Sequence, residues 1–279
     1  VTRAGALDWL KTFIGQRLAQ FGPWEDTMVE GQQILFHSVL SPLLNIGLLT
    51  PQECIQAAEK AYREGKAPLN SVEGFIRQIL GWREFIHGIY WLKMPEYRKA
   101  NFLGADRPLP RWAYTGETDM RCVSQAIHGA VDHAYNHHIQ RLMVLGNYFL
   151  LGGYEPQAVL RWYTEMYLDA YDWVMVPNVL GMILFADGGF FATKPYAAGA
   201  AYQDKMGNHC ASCQFDPKQR EGPKACPFHS LYWNFFGQHA KLFGKNPRIG
   251  MMVKIWEKKT PADQKQIRQN ALHFLDQQK

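Results

Sequence analysis

The sequence has no run of about 18 apolar residues, so no segment of it is expected to span a membrane. It has no stretch of alternating apolar and polar residues and no internal repeat, which argues against a sheet or a solenoid. No secretory leader pattern opens it. Cysteine is scarce: five in 279 residues do not make a secreted disulfide framework, so a reducing cytoplasm is the expected setting. Charge of neither sign dominates, and the formal net charge of +5 permits a nucleic-acid partner without demanding one. The chain starts at Val1, which points to a processed or cropped polypeptide.

What is present is apolar and aromatic. A chain 47% hydrophobic and 14% aromatic can bury a sizeable core, as one large domain or two smaller ones. Helical spacing recurs from Ala4 to Phe21 through Ala6, Leu7, Leu10, Phe13, Ile14 and Leu18, and Gly22-Pro23 is expected to break it. Thr50, Pro51 and Glu53 spell a helix start that runs through Arg63. Ser71 is expected to open another helix, through Lys93, and Pro156 one through about Tyr171. Helix also fits the stretch from Glu117 through Cys122, a stretch ending near Gly152-Gly153, Ser230–Lys241, Pro247–Lys258, and the start at Thr260-Pro261-Ala262-Asp263. The fold class is all-α.

Three of the cysteines lie close together: Cys210 and Cys213 as Cys-x-x-Cys, then Cys226 followed by Pro227. Cys122 supplies a fourth thiol from a distant segment. Four thiolates suit zinc or an iron–sulfur cluster, and spacing does not choose between them. The plain alternative is a few reduced core cysteines, the reading given to Cys54. Between Cys213 and Cys226, Gly, Asp, Pro and Lys read as loop.

Other segments carry resemblances. His37 to Pro51 resembles the phosphate-binding segment of the photolyase/cryptochrome family, with Ser38, Leu40 (through its backbone) and Ser41 at the matching positions. His37 stands where that family usually has Thr, and Leu43 where it has Tyr. Gly81-Trp82-Arg83-Glu84-Phe85 is similar to the family segment whose Trp borders the substrate cavity. His137-His138-Ile139-Gln140-Arg141 resembles the His-His-x-x-Arg of (6-4) photolyases, in which the second His serves the lesion chemistry. The resemblance implies that Arg141 pairs with Asp172 beside a flavin and that Asn178 approaches the flavin ring. The animal enzymes have a further His four residues on, where this chain has Leu142. Trp162 and Tyr163 fit an electron relay in the same family, which Trp112 or Tyr114 would continue. For each of these residues the plain alternative is core packing or a capped turn.

The cysteine pattern resembles the iron–sulfur bacterial cryptochromes and photolyases, in which Cys122, Cys210, Cys213 and Cys226 would hold a [4Fe–4S] cluster. That resemblance covers essentially the whole chain. It implies a helical FAD-binding core at 1–187 and a cluster-binding, DNA-facing region at 188–279. On that resemblance, the N-terminal α/β antenna domain, which carries a ribityllumazine in this branch, is expected to be missing from this chain. It also implies light-dependent repair of (6-4) photoproducts in damaged DNA by electron transfer from reduced FAD, with His138 handling a proton. His137, Trp82, Arg83, Lys194, Tyr196 and Tyr202 would face DNA, the last three within a late basic region where phosphate contact and stacking on a flipped-out base are plausible chemistry. The protein is expected to act as a monomer. Two other readings stay open: a blue-light photoreceptor with the same cofactors, and a non-photochemical iron–sulfur nucleic-acid-binding module without flavin.

Overall fold

In the computed structural model, which describes residues 1–278, Thr2 caps the first helix, Arg3–Gln16, by accepting from the Gly5 N–H. The helix stops at Arg17 and restarts as Leu18–Trp24, with Pro23 inside it. The break therefore falls five residues before the Gly22-Pro23 pair that the sequence pointed to. Gly22 serves packing instead. A Cβ there would meet the Ser71 backbone nitrogen at 2.8 Å, and the Gly22 N–H donates to Ser71 Oγ at 2.9 Å. Ser71 is accordingly no cap. It is buried within the helix Leu69–Arg77, and its hydroxyl donates to the Ala19 carbonyl. Thr50 and Glu53 form the reciprocal capping box of Pro51–Arg63, as the sequence implied.

The remaining elements follow the expected order with shifted ends. Leu69–Arg77 continues through a π-helical turn, Gln78–Arg83, into Glu84–Lys93. Arg121–His133 ends on Ala134 in the left-handed region, and the π-helical Gln140–Gly146 leads into Asn147–Gly152. Glu155 caps Pro156–Met166, which ends five residues earlier than expected. A third π-helical segment, Pro177–Ile183, follows Asp172–Val176. Pro227–Gln238 packs against the final helix, Pro261–Gln277, and Gly250–Glu257 lies beside it. Among the described residues, extended pairing is limited to isolated bridges, and no helix is long and apolar enough to cross a membrane.

Two apolar clusters result. The smaller joins residues of the first 79 positions, with Phe13, Phe21, Cys54 and Phe75 buried in it. The larger runs from Met28 to Leu275 and holds Trp162, Tyr163, Phe228 and Cys226, so residues on both sides of position 187 share one core. The cavity described next lies where the two clusters meet.

Candidate functional site: a histidine-lined cavity and a cysteine pocket

A cavity of about 490 Å³ is walled by the 37–45 stretch, the π-helical turn at Gln78–Arg83, residues 135–142 and the 173–183 stretch. That volume suits a cofactor-sized ligand. All three π-helical segments of the described residues line it. Such turns re-aim side chains and recur at functional sites, and no sequence pattern announces them.

The floor of the cavity is a polar network around a buried ion pair. Arg141 Nη1 donates to Asp169 Oδ1 at 2.8 Å, and its Nε donates to the Asn136 carbonyl at 2.8 Å. Its guanidinium lies 3.9 Å from the centre of the Tyr167 ring. Ser41 Oγ donates to the other oxygen of Asp169 at 2.7 Å, and Asn45 Nδ2 to the Asp169 carbonyl at 2.9 Å. Burial alone would raise the Asp169 carboxyl, but Arg141 and the Ser41 hydroxyl hold it below its ordinary value.

Asp169 therefore takes the place that the resemblance gave to Asp172. Asp172 sits half-exposed on the surface, paired with Arg98 and accepting from Tyr90 Oη at 3.1 Å. The physical reason lies in the end of Pro156–Met166. Tyr167 is extended, which turns the following residues inward and brings Asp169 to Arg141.

Ser38, Leu40 and Ser41 all line the cavity. Between Ser38 and Leu40, Val39 has φ +54°, a strained conformation for a β-branched residue. Ser38 Oγ accepts from the Leu40 N–H at 3.4 Å. Trp82, Arg83 and Asn178 also line the cavity. Arg83 stacks on Trp173 at 4.6 Å and donates to Asn45 Oδ1 at 2.8 Å. Asn178 donates to the Val174 carbonyl at 2.9 Å. Lys194, Tyr196 and Tyr202 are not among its lining residues. Lys194 is exposed, Tyr196 packs on the larger core, and half-buried Tyr202 feels the Asp26 charge.

Tyr163 lines the cavity, and its ring centre lies 5.1 Å from that of Trp162. Trp162 Nε1 donates to the Ala113 carbonyl at 2.8 Å, next to the exposed Tyr114. Trp112 is buried and reaches Trp162 through Phe149, at 6.4 and then 5.7 Å between ring centres.

Three histidines form one wall. His137 is buried, and neither ring nitrogen has a partner. It stacks on His37, with ring centres 4.5 Å apart and planes 14° apart. Burial pushes His37 down to about 4 and His137 to about 2, so both rings are neutral at pH 7. His138 is half-exposed, between His37 and Asp26. Ligand atoms of the three come within 4.8 Å of one another. The His37–His137 stack nonetheless argues against a shared ion, because lone pairs in two parallel, offset ring planes do not meet at one point. The sequence offered no sign of Asp26, 112 residues from His138. His37 was visible only as an exception to a pattern.

Cys122, Cys210, Cys213 and Cys226 line a single small pocket with Met120, Gln203, His209 and Phe215. Burial is the largest cause that pushes the thiols up, Cys210 to about 11 and Cys226 to about 12, and each also feels neighbouring cysteines. Cys122 is raised by burial and by the other three. Among the described residues, no three of these sulfurs converge within the 4.8 Å that the histidines satisfy. Cys54 lies apart, in the smaller core.

No family model matches the chain. A (6-4) photolyase of Agrobacterium fabrum is 48% identical over 275 residues, which cover 99% of this chain and 54% of that protein. An uncharacterized protein of Acanthamoeba polyphaga mimivirus is 38% identical over 93 residues, 33% of this chain and 68% of its own. Among solved structures, a bacterial class III photolyase from Agrobacterium tumefaciens superposes with a TM-score of 0.59 at 19% identity. That match covers 99% of this chain and 50% of that one. A cryptochrome from Synechocystis gives 0.57 at 15% identity, covering 100% of this chain and 56% of that one. The chain thus spans about half the length of the photolyase it matches. Fold and cavity together define a photolyase/cryptochrome-type helical domain. By its sequence relative, the chain belongs to the bacterial cryptochrome/photolyase family.

Proposed function

We propose that this chain binds FAD in the histidine-lined cavity and serves light-dependent repair of (6-4) photoproducts in DNA. The observation that carries the reading is 48% identity, across 99% of the chain, to a (6-4) photolyase. The cavity fits a flavin in kind: mostly apolar walls, one buried ion pair, and an unpartnered buried imidazole in His137. FAD, when bound, supplies the light absorption and the one-electron chemistry. Arg141, held in place by Asp169 and Tyr167, would orient it together with Ser38, Leu40, Ser41 and Asn178. Tyr163 and Trp162 offer adjacent oxidisable rings between the cavity and exposed Tyr114. His138 stands half-exposed at the cavity, and in this reading it would give a proton to a lesion. Trp82 and Arg83 would border the lesion. His137 would back His138, while Lys194, Tyr196 and Tyr202 would meet the DNA outside the cavity.

The four thiols gathered in one pocket would hold a [4Fe–4S] cluster, which takes four cysteine thiolates. In this reading the cluster is structural, tying residue 122 of the core to the 210–226 loop.

The test is repair of a defined (6-4) lesion by protein purified without air. His138→Ala is expected to keep FAD and to lose repair. Full repair by that variant would remove His138 from the chemistry. Flavin that photoreduces in wild-type protein without any repair would favour the photoreceptor reading, for which the cryptochrome fold gives ground. Iron without flavin would favour the nucleic-acid-binding module.

A further inference from the structure

The 38–41 wall of the cavity offers hydroxyl and N–H groups to an anion, but no free positive charge. Among the described residues that line the cavity, the only arginines are Arg83 and Arg141, and there is no lysine. Arg141 is paired with Asp169, and Arg83 is held by Asn45 and the face of Trp173. Glu25 and Asp169 line the same cavity, so its carboxyl groups already match its guanidinium groups. The diphosphate of a dinucleotide brings negative charge of its own, and none of these residues is left to offset it.

One cation stands beside that wall without a partner. Arg17 sits at the break between Arg3–Gln16 and Leu18–Trp24. Its Nε and Nη2 are buried and have no acceptor. Its guanidinium lies against the Trp9 ring, 5.3 Å from the ring centre. Trp9 Nε1 in turn donates to the Ser38 carbonyl at 2.8 Å. Tyr135, which lines the cavity, feels the Arg17 charge in its hydroxyl. Burial pushes the Arg17 guanidinium down from its ordinary value, and Tyr135 is the one group that offsets this. An arginine stays charged nonetheless, and a charge kept from water is costly until something negative meets it.

We propose that Arg17 is the cation that meets the diphosphate of the cavity's ligand, and that it thereby makes the site select FAD over flavins that lack this group. The inference rests on the FAD binding proposed above and deepens it by naming the residue that sets the ligand class. Ser38 and Leu40 supply neutral groups to the diphosphate. Arg17 supplies the charge and a planar fork that matches phosphate oxygens. Two consequences of opposite sign follow. In the empty protein Arg17 is a liability, because its buried donors have nothing to bond. In the loaded protein the same donors are satisfied and hold the ligand.

The experiment titrates the whole chain, freed of flavin, with FAD and with riboflavin, which has the flavin ring and no phosphate. Flavin fluorescence reads the binding. Wild-type protein is expected to hold FAD more tightly than riboflavin. Arg17→Gln is expected to weaken FAD on the order of tenfold or more and to leave riboflavin within about twofold. Arg17→Lys, which keeps the charge without the fork, is expected to fall between the two. Thermal melts add a readout that a merely structural role would not move. Without flavin, Arg17→Gln is expected to melt no lower than wild type, because it removes an uncompensated buried charge. With FAD present it is expected to melt lower than wild type. A variant that binds FAD as tightly as wild type, or that weakens FAD and riboflavin equally, overturns the proposal. So do Arg17→Gln and Arg17→Lys proteins that both melt well below wild type without flavin. Adenosine diphosphate is the second probe. Wild-type protein that takes no flavin, yet binds adenosine diphosphate and loses it in Arg17→Gln, would refute the proposed function and leave Arg17 as the diphosphate's cation. Wild-type protein that takes neither ligand would refute both.

Discussion

The cavity and the cysteine pocket are both gathered from distant parts of the chain, yet they reach opposite states of completion. In the cavity nearly every polar group already has a partner. Arg141 has Asp169, Ser41 has Asp169, Arg83 has Asn45, and His138 has both Asp26 and His37. In the pocket four thiols come together, and burial first, then neighbouring thiols, push Cys122, Cys210 and Cys226 up. On the proposed reading, the first site is organised ahead of its ligand, and the second would be completed by a metal group that compensates the thiolates. Removing one residue should therefore act differently at the two places.

The largest effect is expected in the pocket. Cys226→Ser should lose its iron and on the order of tenfold in soluble yield, both readable from the purified protein, because binding and folding are coupled there. Cys54→Ser is the control: it lies in the other apolar cluster and should keep iron. Normal iron and yield in Cys226→Ser would erase the contrast.

Next comes Asp169→Asn. It leaves the Arg141 guanidinium buried without its counter-ion, and denaturant unfolding should register a loss of about 3–5 kcal/mol together with poor FAD retention. A third effect is expected from acid. His37 is neutral when folded but takes a proton near its ordinary value of 6.5 when unfolded, so stability is full above that pH. It declines as pH falls toward about 4, by about 3 kcal/mol from this ring at one unit per 1.36 kcal/mol. His37→Phe should flatten that slope in thermal melts. Asp169, held below its ordinary 3.8, adds its own loss only in stronger acid. The smallest effect is Asp172→Asn. Its pair with Arg98 is half-exposed, so a change within about 1 kcal/mol and unaltered FAD content are expected. A large effect there, and none at Asp169, would reverse the assignment of the Arg141 partner.

What could be read in the sequence was local. The Thr50–Glu53 capping box and the thiol spacing are interactions among near neighbours, and the structure forms the first and gathers the second. What could not be read depended on where a helix stops or how it bulges. Asp169 and Asp172 are three residues apart on the same stretch, and only the end of the helix at Met166 decides which one reaches Arg141. The three π-helical segments come from tertiary packing, and nothing in Gln78–Arg83, Gln140–Gly146 or Pro177–Ile183 announces them. Asp26 lies on a segment without regular structure, so no periodicity could have pointed it at His138.

That segment has a consequence of its own. Asp26 holds His138, and the Met28 N–H donates to the Met206 carbonyl at 2.8 Å. Two residues on, the Glu30 carboxylate takes Arg121, beside Cys122, and also the Ser212 hydroxyl at 2.6 Å, between Cys210 and Cys213. From Asp26 to Glu30 the chain can span at most about 14 Å. One short tether thus carries both contacts, to the imidazole at Asp26 and to the sulfur-bearing segments at Glu30, so the cavity and the cysteine pocket lie within one short reach of chain of each other.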